Sequence, residues 1–521
     1  MPKVKRALLS VSDKKGIIDL ARGLNKLGIE IISTGGTAKQ IKEVGVPVIP
    51  IEEITDYPEM MNGRVKTLHP AIHGGILALR DNEKHMEEIK NQDIVPIDMV
   101  VCNLYPFAET IAREDTGLEE AVENIDIGGP TMIRSAAKNF QDLIIVVTPS
   151  DYKDILTELE ENNGDISDKK RMKLAYKAFR HTAEYDYRVQ NYFYPLSEED
   201  DLFPENYLKM YNKKFDLRYG ENPHQQAAFY SEEGYTGASI STAEQLSGKE
   251  LSYNNINDAD AALELIKDFN EKPAVAVIKH TNPCGMAEGE DILNVFKRAY
   301  AGDPVSAFGS IVAINQKVND KLAKEIIDGN RFLEIIIAPD FSSKAIKILM
   351  ERWNNLRLLK TDDLSKSSNN EYDLKKVSGG LLVQEKDVLN INTDEWELVT
   401  SVKLDQGLLA DLVFSWKVAK HVKSNAIIMA KDKMLIGVGA GQMSRLDSMI
   451  IAGRKAAGRQ ENGVVASDAF FPFADSIKQA AEFGIKAIIQ PGGSIRDEEV
   501  IAEAEKNNIS MIFTKKRHFK H

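Results

Sequence analysis

Short apolar runs alternate with stretches of helical periodicity over the N-terminal part of the chain. The runs are rich in β-branched residues and lack polar alternation, so they are typical of strands that are buried on both faces of a sheet. Helical patterns between such strands indicate crossovers, and the segment is therefore predicted to form a parallel α/β sheet. The predicted strands are residues 4–11, 29–33, 46–49, 99–103 and 143–147, with helices at 16–27 and from about Thr37.

A long amphipathic helix is predicted at residues 168–193. We expect its apolar face to pack against the sheet or against a partner chain. By helical spacing, that face consists of Met172, Ala175, Tyr176, Phe179 and Ala183.

An acidic, proline-flanked segment at residues 195–206 separates two predicted domains, 1–195 and 207–521. The second domain is again α/β. An apolar strand that leads into a turn occurs twice in it, as do aromatic segments near an aspartate (303–310 and 467–475), which suggests a duplicated half-domain. The predicted strands are residues 274–278, 310–314, 335–338, 426–429, 435–438, 464–467 and 487–489.

Composition narrows the classes of function. The 521 residues carry 66 Lys and Arg against 79 Asp and Glu, a net charge of −13, so binding to nucleic acid or to anionic membranes is not expected. A local cluster of cations can still bind a small anionic ligand. Two cysteines form no disulfide framework, and no apolar run has the length of a membrane span, so a cytoplasmic protein is expected.

Hydroxyl and cationic residues follow several of the predicted strands. In residues 32–41 a strand precedes two glycines and then Thr37, at the expected N-cap of a helix; this arrangement can cradle phosphate but also occurs in ordinary strand–helix turns. Because the carboxyl ends of parallel strands meet at one edge of a sheet, a phosphorylated ligand is predicted there. Two further segments add Ser12, Lys14, Arg64, Lys66 and Thr67.

Groups suited to proton transfer accompany this predicted phosphate site. Tyr105 follows another strand, and residues 125–140 supply Asp126 and Lys138. Together with Lys66, these side chains can move a proton or stabilise an oxyanion. Spacing alone does not establish that chemistry.

In the second domain, Lys279 and His280 directly follow a strand that is predicted to be fully buried. Both are costly to bury without partners, so the pair indicates a site at which pKa values are tuned. Pro283 and Cys284 form half of the second motif of a zinc nucleobase deaminase, but the two cysteines of the chain cannot supply the ligands that zinc needs. No catalytic metal is therefore expected.

Ten motifs occur in order along nearly the whole chain: SVSDK, STGGTAK, GRVKTLHP, CNLYPF, DIGGPTMIRSAAKN, LRYGENPHQ, KHTNPCG, SNAI, GAGQMSR and SDAFFPF. By these motifs the chain resembles the bifunctional purine biosynthesis enzymes in which phosphoribosylaminoimidazolecarboxamide (AICAR) formyltransferase is joined to IMP cyclohydrolase. The resemblance implies an N-terminal methylglyoxal-synthase-like domain and a C-terminal region of two cytidine-deaminase-like subdomains without zinc.

The activity that the resemblance implies is the last two steps of IMP synthesis. A formyl group would pass from 10-formyltetrahydrofolate to the 5-amino group of AICAR, and the formylated product (FAICAR) would close to IMP with loss of water. The family also implies a homodimer, with the transferase site at the subunit interface.

The same resemblance assigns roles to individual residues. The closing ring would be surrounded by Lys66, Tyr105, Asp126 and Lys138. The nucleotide would also contact Ser12, Lys14, Thr34, Gly36, Thr37, Arg64 and Thr67, with Thr34 where some relatives have serine. Formyl transfer would be catalysed by Lys279 and His280. AICAR would contact Arg218, Tyr219, His224, Asn425, Gln442, Arg445, Phe470 and Arg517. The folate or the reacting groups would lie near Phe308, Gly309, Pro472, Phe473 and Asp475.

The residues alone leave two alternatives open. One is a zinc-type nucleobase deaminase fused to a phosphate-binding regulatory module. The other is a non-catalytic sensor that uses the N-terminal phosphate cradle.

Overall fold

A computed structural model describes residues 3–113, 115–197, 202–365 and 372–521. The chain divides into two compact units, Met1–Met210 and Tyr211–His521. Residues 198–201, which belong to the predicted linker, lie outside the described residues. In the described part of the chain, no helix is both long enough and apolar enough to cross a membrane.

The first unit is built on a five-stranded parallel sheet. Its strands are β1 (Arg6–Val11), β2 (Glu30–Ser33), β3 (Ile49–Pro50), β4 (Met99–Asn103) and β5 (Ile144–Val146). Its helices are α1 (Ile17–Lys26), α2 (Gly35–Glu43), α3 (Ile51–Thr55), α4 (Pro70–Leu77), α5 (Glu83–Asn91), α6 (Phe107–Ile111), α7 (Leu118–Glu123), α8 (Gly128–Lys138), α9 (Tyr152–Glu161) and α10 (Asp168–Phe193).

The strand order is β3-β2-β1-β4-β5, with β1 at the centre. Leu8, Leu9 and Val100 on the central strands are fully buried, as the absence of polar alternation in these runs predicts. The parallel α/β prediction is therefore confirmed. The third predicted strand, 46–49, is displaced: the ladder contains only Ile49 and Pro50, because proline cannot donate a ladder hydrogen bond and the chain turns into a helix.

Helix α10 has the bounds that its periodicity predicts, but a different face is buried. Met172 and Tyr176 are 62% and 63% exposed, and Phe179 is 40% exposed. The small side chains of Ala175 and Ala178 let the helix approach α8 and β5, so these residues set the packed face. The buried positions are Arg171, Leu174, Ala175, Ala178, Thr182 and Tyr185.

The second unit contains sixteen strands and eight helices among its described residues. Its strands are β6 (Tyr211–Leu217), β7 (Ala227–Glu232), β8 (Glu244–Ser247), β9 (Ala274–Lys279), β10 (Asn282–Glu288), β11 (Ser310–Ile314), β12 (Leu333–Ala338), β13 (Arg357–Lys360), β14 (Tyr372–Val377), β15 (Gly380–Glu385), β16 (Glu397–Leu398), β17 (Ile427–Lys431), β18 (Met434–Gly439), β19 (Val464–Ser467), β20 (Ala487–Gln490) and β21 (Ser510–Phe513). Its helices are α11 (Tyr253–Lys267), α12 (Ile292–Tyr300), α13 (Asp320–Ile327), α14 (Ser343–Arg352), α15 (Gln406–Ala419), α16 (Arg445–Ala456), α17 (Asp475–Glu482) and α18 (Asp497–Lys506).

Twelve of these strands form one mixed sheet in the order β16-β21-β20-β19-β17-β18-β10-β9-β11-β12-β13-β8. In the first half, β9 pairs antiparallel with β10 and β11. Strand β11 then pairs in parallel with β12, and β12 with β13. The second half repeats this plan with β17, β18, β19, β20 and β21. An antiparallel pairing of β10 with β18 joins the halves.

The unit is therefore a duplicated half-domain, as the repeated strand-and-turn pattern suggests. The two aromatic segments used in that argument are not equivalent, however. Residues 303–310 lead into β11, whereas residues 467–475 follow β19. The similar composition of the two segments indicated a repeat, but it did not identify which segments of the two halves are equivalent.

We expect a fragment of residues 1–210 to fold on its own, since this unit has its own extensive core around β1 and β4. Circular dichroism should show one cooperative thermal transition for the purified fragment. A fragment that lacks a cooperative transition would contradict this prediction.

Candidate functional site

A cavity of about 650 Å3 opens at the carboxyl edge of the first sheet. It is bordered by the segments that follow β1, β2 and β4, because the carboxyl ends of parallel strands converge there. Every residue predicted for the cyclohydrolase, except Lys138, is among its described lining residues. These are Ser12, Lys14, Thr34, Gly36, Thr37, Arg64, Lys66, Thr67, Tyr105 and Asp126.

The glycine turn after β2 differs in one detail from its prediction. Helix α2 begins at Gly35, so Thr34 occupies the N-cap and Thr37 is the third helical residue. The Thr37 hydroxyl donates to the Val11 carbonyl at 3.0 Å and accepts from the Val11 N–H at 3.3 Å. Thr37 therefore ties α2 to the end of β1, while Gly35 and Gly36, whose N–H groups have no partner within the helix, line the cavity.

Lys14 lies beside this turn. A Cβ atom placed on Gly36 would lie 3.9 Å from Lys14 Nζ. The hydroxyls of Ser10 and Thr34 are hydrogen-bonded at 2.8 Å on the same side. An ammonium, two hydroxyls and a helix N-terminus together form a suitable site for a phosphate group.

Asn103, at the end of β4, is a functional residue that the sequence analysis missed. Its Oδ1 accepts from the backbone N–H groups of Ser12 at 2.7 Å and Asp13 at 2.9 Å, and its Nδ2 donates to the Asp13 carbonyl at 3.0 Å. These bonds fix the loop that carries Lys14. The available signal was a polar residue that ends an otherwise apolar strand.

Asp126 and Lys66 both line the cavity, near enough for the charge of Lys66 to act on the carboxyl group. Burial raises the pKa of Asp126, while hydrogen bonds from the backbones of Gly129 and Tyr105 and the charge of Lys66 act in the opposite direction. Asp126 Oδ1 accepts from Gly129 N at 2.8 Å. The carboxyl group is thus held in place, next to a cation, in a partly desolvated position.

Two predicted residues are placed differently from the rest. Arg64 is largely exposed and pairs with Glu123, which lowers the pKa of that carboxyl group. Lys138 is exposed at the last position of α8, about 15 Å along the helix axis from Gly128 at the cavity. In the described structure, Lys138 is not part of the cavity lining.

A second cavity, of about 240 Å3, contains Lys279 and His280. Lys279 Nζ donates to the carbonyls of Gly309 at 3.0 Å and Phe308 at 3.3 Å. His280 is exposed because β9 ends at Lys279 and the chain turns sharply, so the predicted cost of burial does not arise for its side chain. Burial raises the pKa of the neighbouring Cys284 thiol to about 12, so that sulfur stays protonated at neutral pH.

The other predicted transferase residues lie in several places in the second unit. Asn425 Nδ2 donates to the Gln442 carbonyl at 2.8 Å. Arg445 donates to Ser467 Oγ at 3.0 Å and to Asp468 at 2.9 Å. A hydrogen bond of 3.1 Å from the Lys423 N–H to Asn282 Oδ1 connects the Asn425 region to the turn that carries His280.

The remaining predicted residues lie near the surface. Among the described contacts, the Arg218 guanidinium lies over Tyr219, 5.4 Å from the ring centroid, and that of Arg517 lies 4.6 Å from the Phe519 centroid. His224 is exposed in a turn, and Asp475 begins α17. Phe308, Phe470 and Phe473 are 54%, 37% and 47% exposed, with Gly309 and Pro472 next to them. The rings are therefore accessible to a ligand or a second chain.

No metal-binding cluster is present in the part of the chain that the structure describes. A group of three or more His, Cys, Asp or Glu side chains placed to hold an ion was not found among those residues. Both cysteines are free.

Comparison with known proteins gives matches over both units. Residues 136–455 match the family described as the AICARFT/IMPCHase bienzyme, and residues 16–131 match the MGS-like domain. A protein of Acetivibrio thermocellus named "Bifunctional purine biosynthesis protein PurH" is 52% identical over 99% of this chain and 100% of its own length. A Bacillus cereus protein of the same name is 53% identical over 99% of this chain and 100% of its own length.

One solved structure, titled "Crystal structure of ForH", is 38% identical and covers 36% of this chain and 96% of its own chain. Its TM-score is 0.34, which is too low to support a structural argument.

Thr37→Val is expected to lower the free energy of unfolding of the first unit by about 1–3 kcal/mol, since it leaves the buried Val11 backbone without its side-chain partner. Hydrogen exchange of β1 peptides in increasing denaturant measures this change. Thr157→Val is the matched control, because among the described residues that hydroxyl bonds to the Lys153 carbonyl alone, on an exposed helix face. An equal, small effect of both substitutions would show that the bond to Val11 is unimportant.

Proposed function

The chain belongs to the AICARFT/IMPCHase bienzyme family, and on this premise we propose how its two units divide the two reactions. It is a bifunctional AICAR formyltransferase and IMP cyclohydrolase that acts in the final steps of IMP synthesis. We assign ring closure to the unit Met1–Met210 and formyl transfer to the unit Tyr211–His521. The observation that carries this assignment is that the residues predicted for cyclisation, Lys138 excepted, line one cavity of the first unit.

In ring closure, the carboxamide nitrogen of FAICAR attacks the formyl carbon, and the formyl oxygen leaves as water. We place the phosphate of the nucleotide at Lys14 and the N-terminus of α2, where charge and free N–H groups coincide. Lys66 then lies where an oxyanion develops on the former formyl oxygen. Asp126, with its raised pKa and its position beside Lys66, is suited to exchange a proton with the reacting groups.

The role of Lys138 stays a prediction from the family resemblance. Its exposed position at the end of α8 does not by itself supply a contact with the closing ring.

In formyl transfer, the 5-amine of AICAR is the nucleophile and 10-formyltetrahydrofolate is the proposed co-substrate. The amine is conjugated with an electron-poor ring and needs a base to remove its proton as the new C–N bond forms. His280 is exposed in the second cavity, and imidazole is the side chain that most often acts as a general base.

Lys279 is the proposed stabiliser of the tetrahedral oxyanion. Its ammonium group donates to the Gly309 and Phe308 carbonyls, and a lysine has three donors, so one N–H remains for the reacting oxygen. The exposed Phe308 and Phe473 offer flat surfaces for the pterin ring. The tetrahedral intermediate collapses by breaking the bond from the formyl carbon to the folate nitrogen, which takes up a proton.

We further propose that the chain acts as a homodimer in the cytoplasm and that a second copy completes the transferase site. The support is the scatter of the predicted AICAR ligands, such as Arg218 and Arg517, over the surface of one chain, together with two free cysteines. Each half of the duplicated sheet is proposed to be cytidine-deaminase-like. A deaminase reaction is not favoured, since the described residues hold no group of His, Cys, Asp or Glu side chains placed to bind zinc.

The direct test is formation of IMP by the purified chain from AICAR and 10-formyltetrahydrofolate. The two half-reactions are assayed separately, first FAICAR formation and then the cyclisation of supplied FAICAR. No turnover in either assay by a folded protein would refute the proposal.

Lys66→Ala is expected to slow cyclisation and to leave formyl transfer within about twofold of wild type. Loss of a charge-assisted contact costs on the order of 1.5–3 kcal/mol, which corresponds to a tenfold or greater loss of kcat/KM. Steady-state kinetics of each half-reaction checks this. Equal losses in both reactions would argue against separate sites.

His280→Ala is the reciprocal variant and should reduce formyl transfer while sparing the cyclisation of supplied FAICAR. General-base catalysis typically contributes about 10²–10⁴-fold, so kcat for transfer should fall by a factor in this range. The thermal midpoint should stay near that of wild type, because the side chain is exposed. If kcat for transfer remains within about threefold of wild type, His280 is not the base.

A further inference from the structure

The turn that carries His280 has a backbone conformation that its residues do not favour. His280 and Thr281 have φ values of 52° and 60°, in the left-handed region. Two-residue hairpin turns of this kind usually contain Asn-Gly or Gly-Gly, and a β-branched residue at positive φ is uncommon. Such a conformation persists only where surrounding structure holds it.

Asp258 on α11 supplies that support. Its Oδ1 accepts from the Thr281 N–H at 2.7 Å. The carboxyl group is partly buried, which raises its pKa, and hydrogen bonds from the turn backbone together with the charges of His280 and Lys279 oppose the rise. No role in the reaction follows for Asp258 from the family motifs.

The duplicated half shows the same device without the histidine. The turn Asp432–Lys433 joins β17 to β18, with φ values of 53° and 54°. Asp411 on α15 accepts from the N–H of Asp432 at 2.8 Å and of Lys433 at 2.7 Å. Asp258 and Asp411 are each the sixth residue of their helices.

The lysine that precedes each turn is also equivalent. Lys431 Nζ donates to the Glu461 carbonyl at 2.9 Å, as Lys279 Nζ does to the carbonyls before β11. The aspartate and the lysine thus belong to the architecture of both halves, whereas an imidazole is present at only one of the two turns. The second turn is therefore an internal reference for the purely structural contribution of the aspartate.

We propose that Asp258 is a positioning residue for formyl transfer: its carboxylate holds the Lys279–Thr281 turn in the left-handed conformation and thereby places the imidazole and ammonium groups for reaction. This inference rests on the proposed function of His280 and extends it to a residue that need not contact the substrate. Asp258 acts through the backbone, so its loss should affect kcat more than KM.

The test compares Asp258→Ala with Asp411→Ala in the full-length chain. Thermal midpoints and both kinetic parameters of each half-reaction are measured well below the midpoint. Both variants are expected to lose similar stability. Asp258→Ala should lower kcat for transfer on the order of 10²-fold, the cost of a misplacement of about 1 Å, with KM for AICAR within about threefold. The kcat for cyclisation should stay within about threefold of wild type in both variants. The kcat for formyl transfer by Asp411→Ala should also stay within about threefold.

Asp258→Asn separates the hydrogen bond from other effects, because its amide oxygen can still accept from Thr281. It is expected to recover most of the lost kcat. If Asp258→Ala does not fold, Asp258→Glu takes its place: one extra methylene displaces the carboxylate, and a loss of tenfold or more in kcat is expected, within the cost of such a misplacement.

Three results would overturn the proposal. They are wild-type kcat in a folded Asp258→Ala or Asp258→Glu variant, an equal loss of transfer in Asp411→Ala, and no recovery in Asp258→Asn. Failure of the proposed function looks different: His280→Ala itself would then retain transfer, whatever the Asp258 variants do.

Discussion

Both units depend on one constraint: buried strands end in loops whose backbone N–H groups must find partners. In the first unit Asn103 accepts from the loop after β1, and Thr37 bonds both backbone groups of Val11. In the second unit Asp258 and Asp411 serve the hairpin turns after β9 and β17. These bonds join segments that are distant in sequence, and all of them except those of Asp411 also fix the position of a residue at a candidate site. The side chains that satisfy buried backbone polar groups therefore also determine the geometry of the candidate sites.

Much of the fold can be read from the sequence where burial dominates. The central strands β4, β11 and β19 have their predicted bounds, because an apolar run flanked by turns leaves little choice of position. Prediction is poorest where burial is incomplete. Strand β3 is short and lies at the edge of the sheet. The packed face of α10 is set by alanines, which contribute little to a pattern of large apolar residues. The pairing of β10 with β18, which joins the duplicated halves, depends on tertiary contacts with no local signal.

Part of the first candidate site was predictable because Ser12, Thr34 and Tyr105 follow parallel strands, whose ends converge at one edge of the sheet. Lys66 and Asp126 follow helical segments, so no strand end indicated their position. Asn103 was missed because its role as a hydrogen-bond acceptor becomes evident only when the loop of Ser12 and Asp13 is seen beside it. Asp258 was missed for the same reason, since α11 and the turn at Thr281 are brought together by the fold and by no shared motif. The transferase residues were less predictable as a group: Lys279 and His280 share a cavity, whereas Arg218 and Arg517 lie elsewhere on the described surface.

The two hairpin turns of the duplicated sheet differ in the substitutions that they can accept. The turn of Asp432 and Lys433 carries no imidazole, so an Asn-Gly pair would relieve the positive φ there at the cost of the ion pair from Lys433 to Glu288. At His280 and Thr281 the same substitution would remove the imidazole, so the unfavourable backbone conformation cannot be relieved without loss of the proposed base. Engineering of ideal turn residues into this protein is therefore open at one of the two equivalent hairpins and closed at the other.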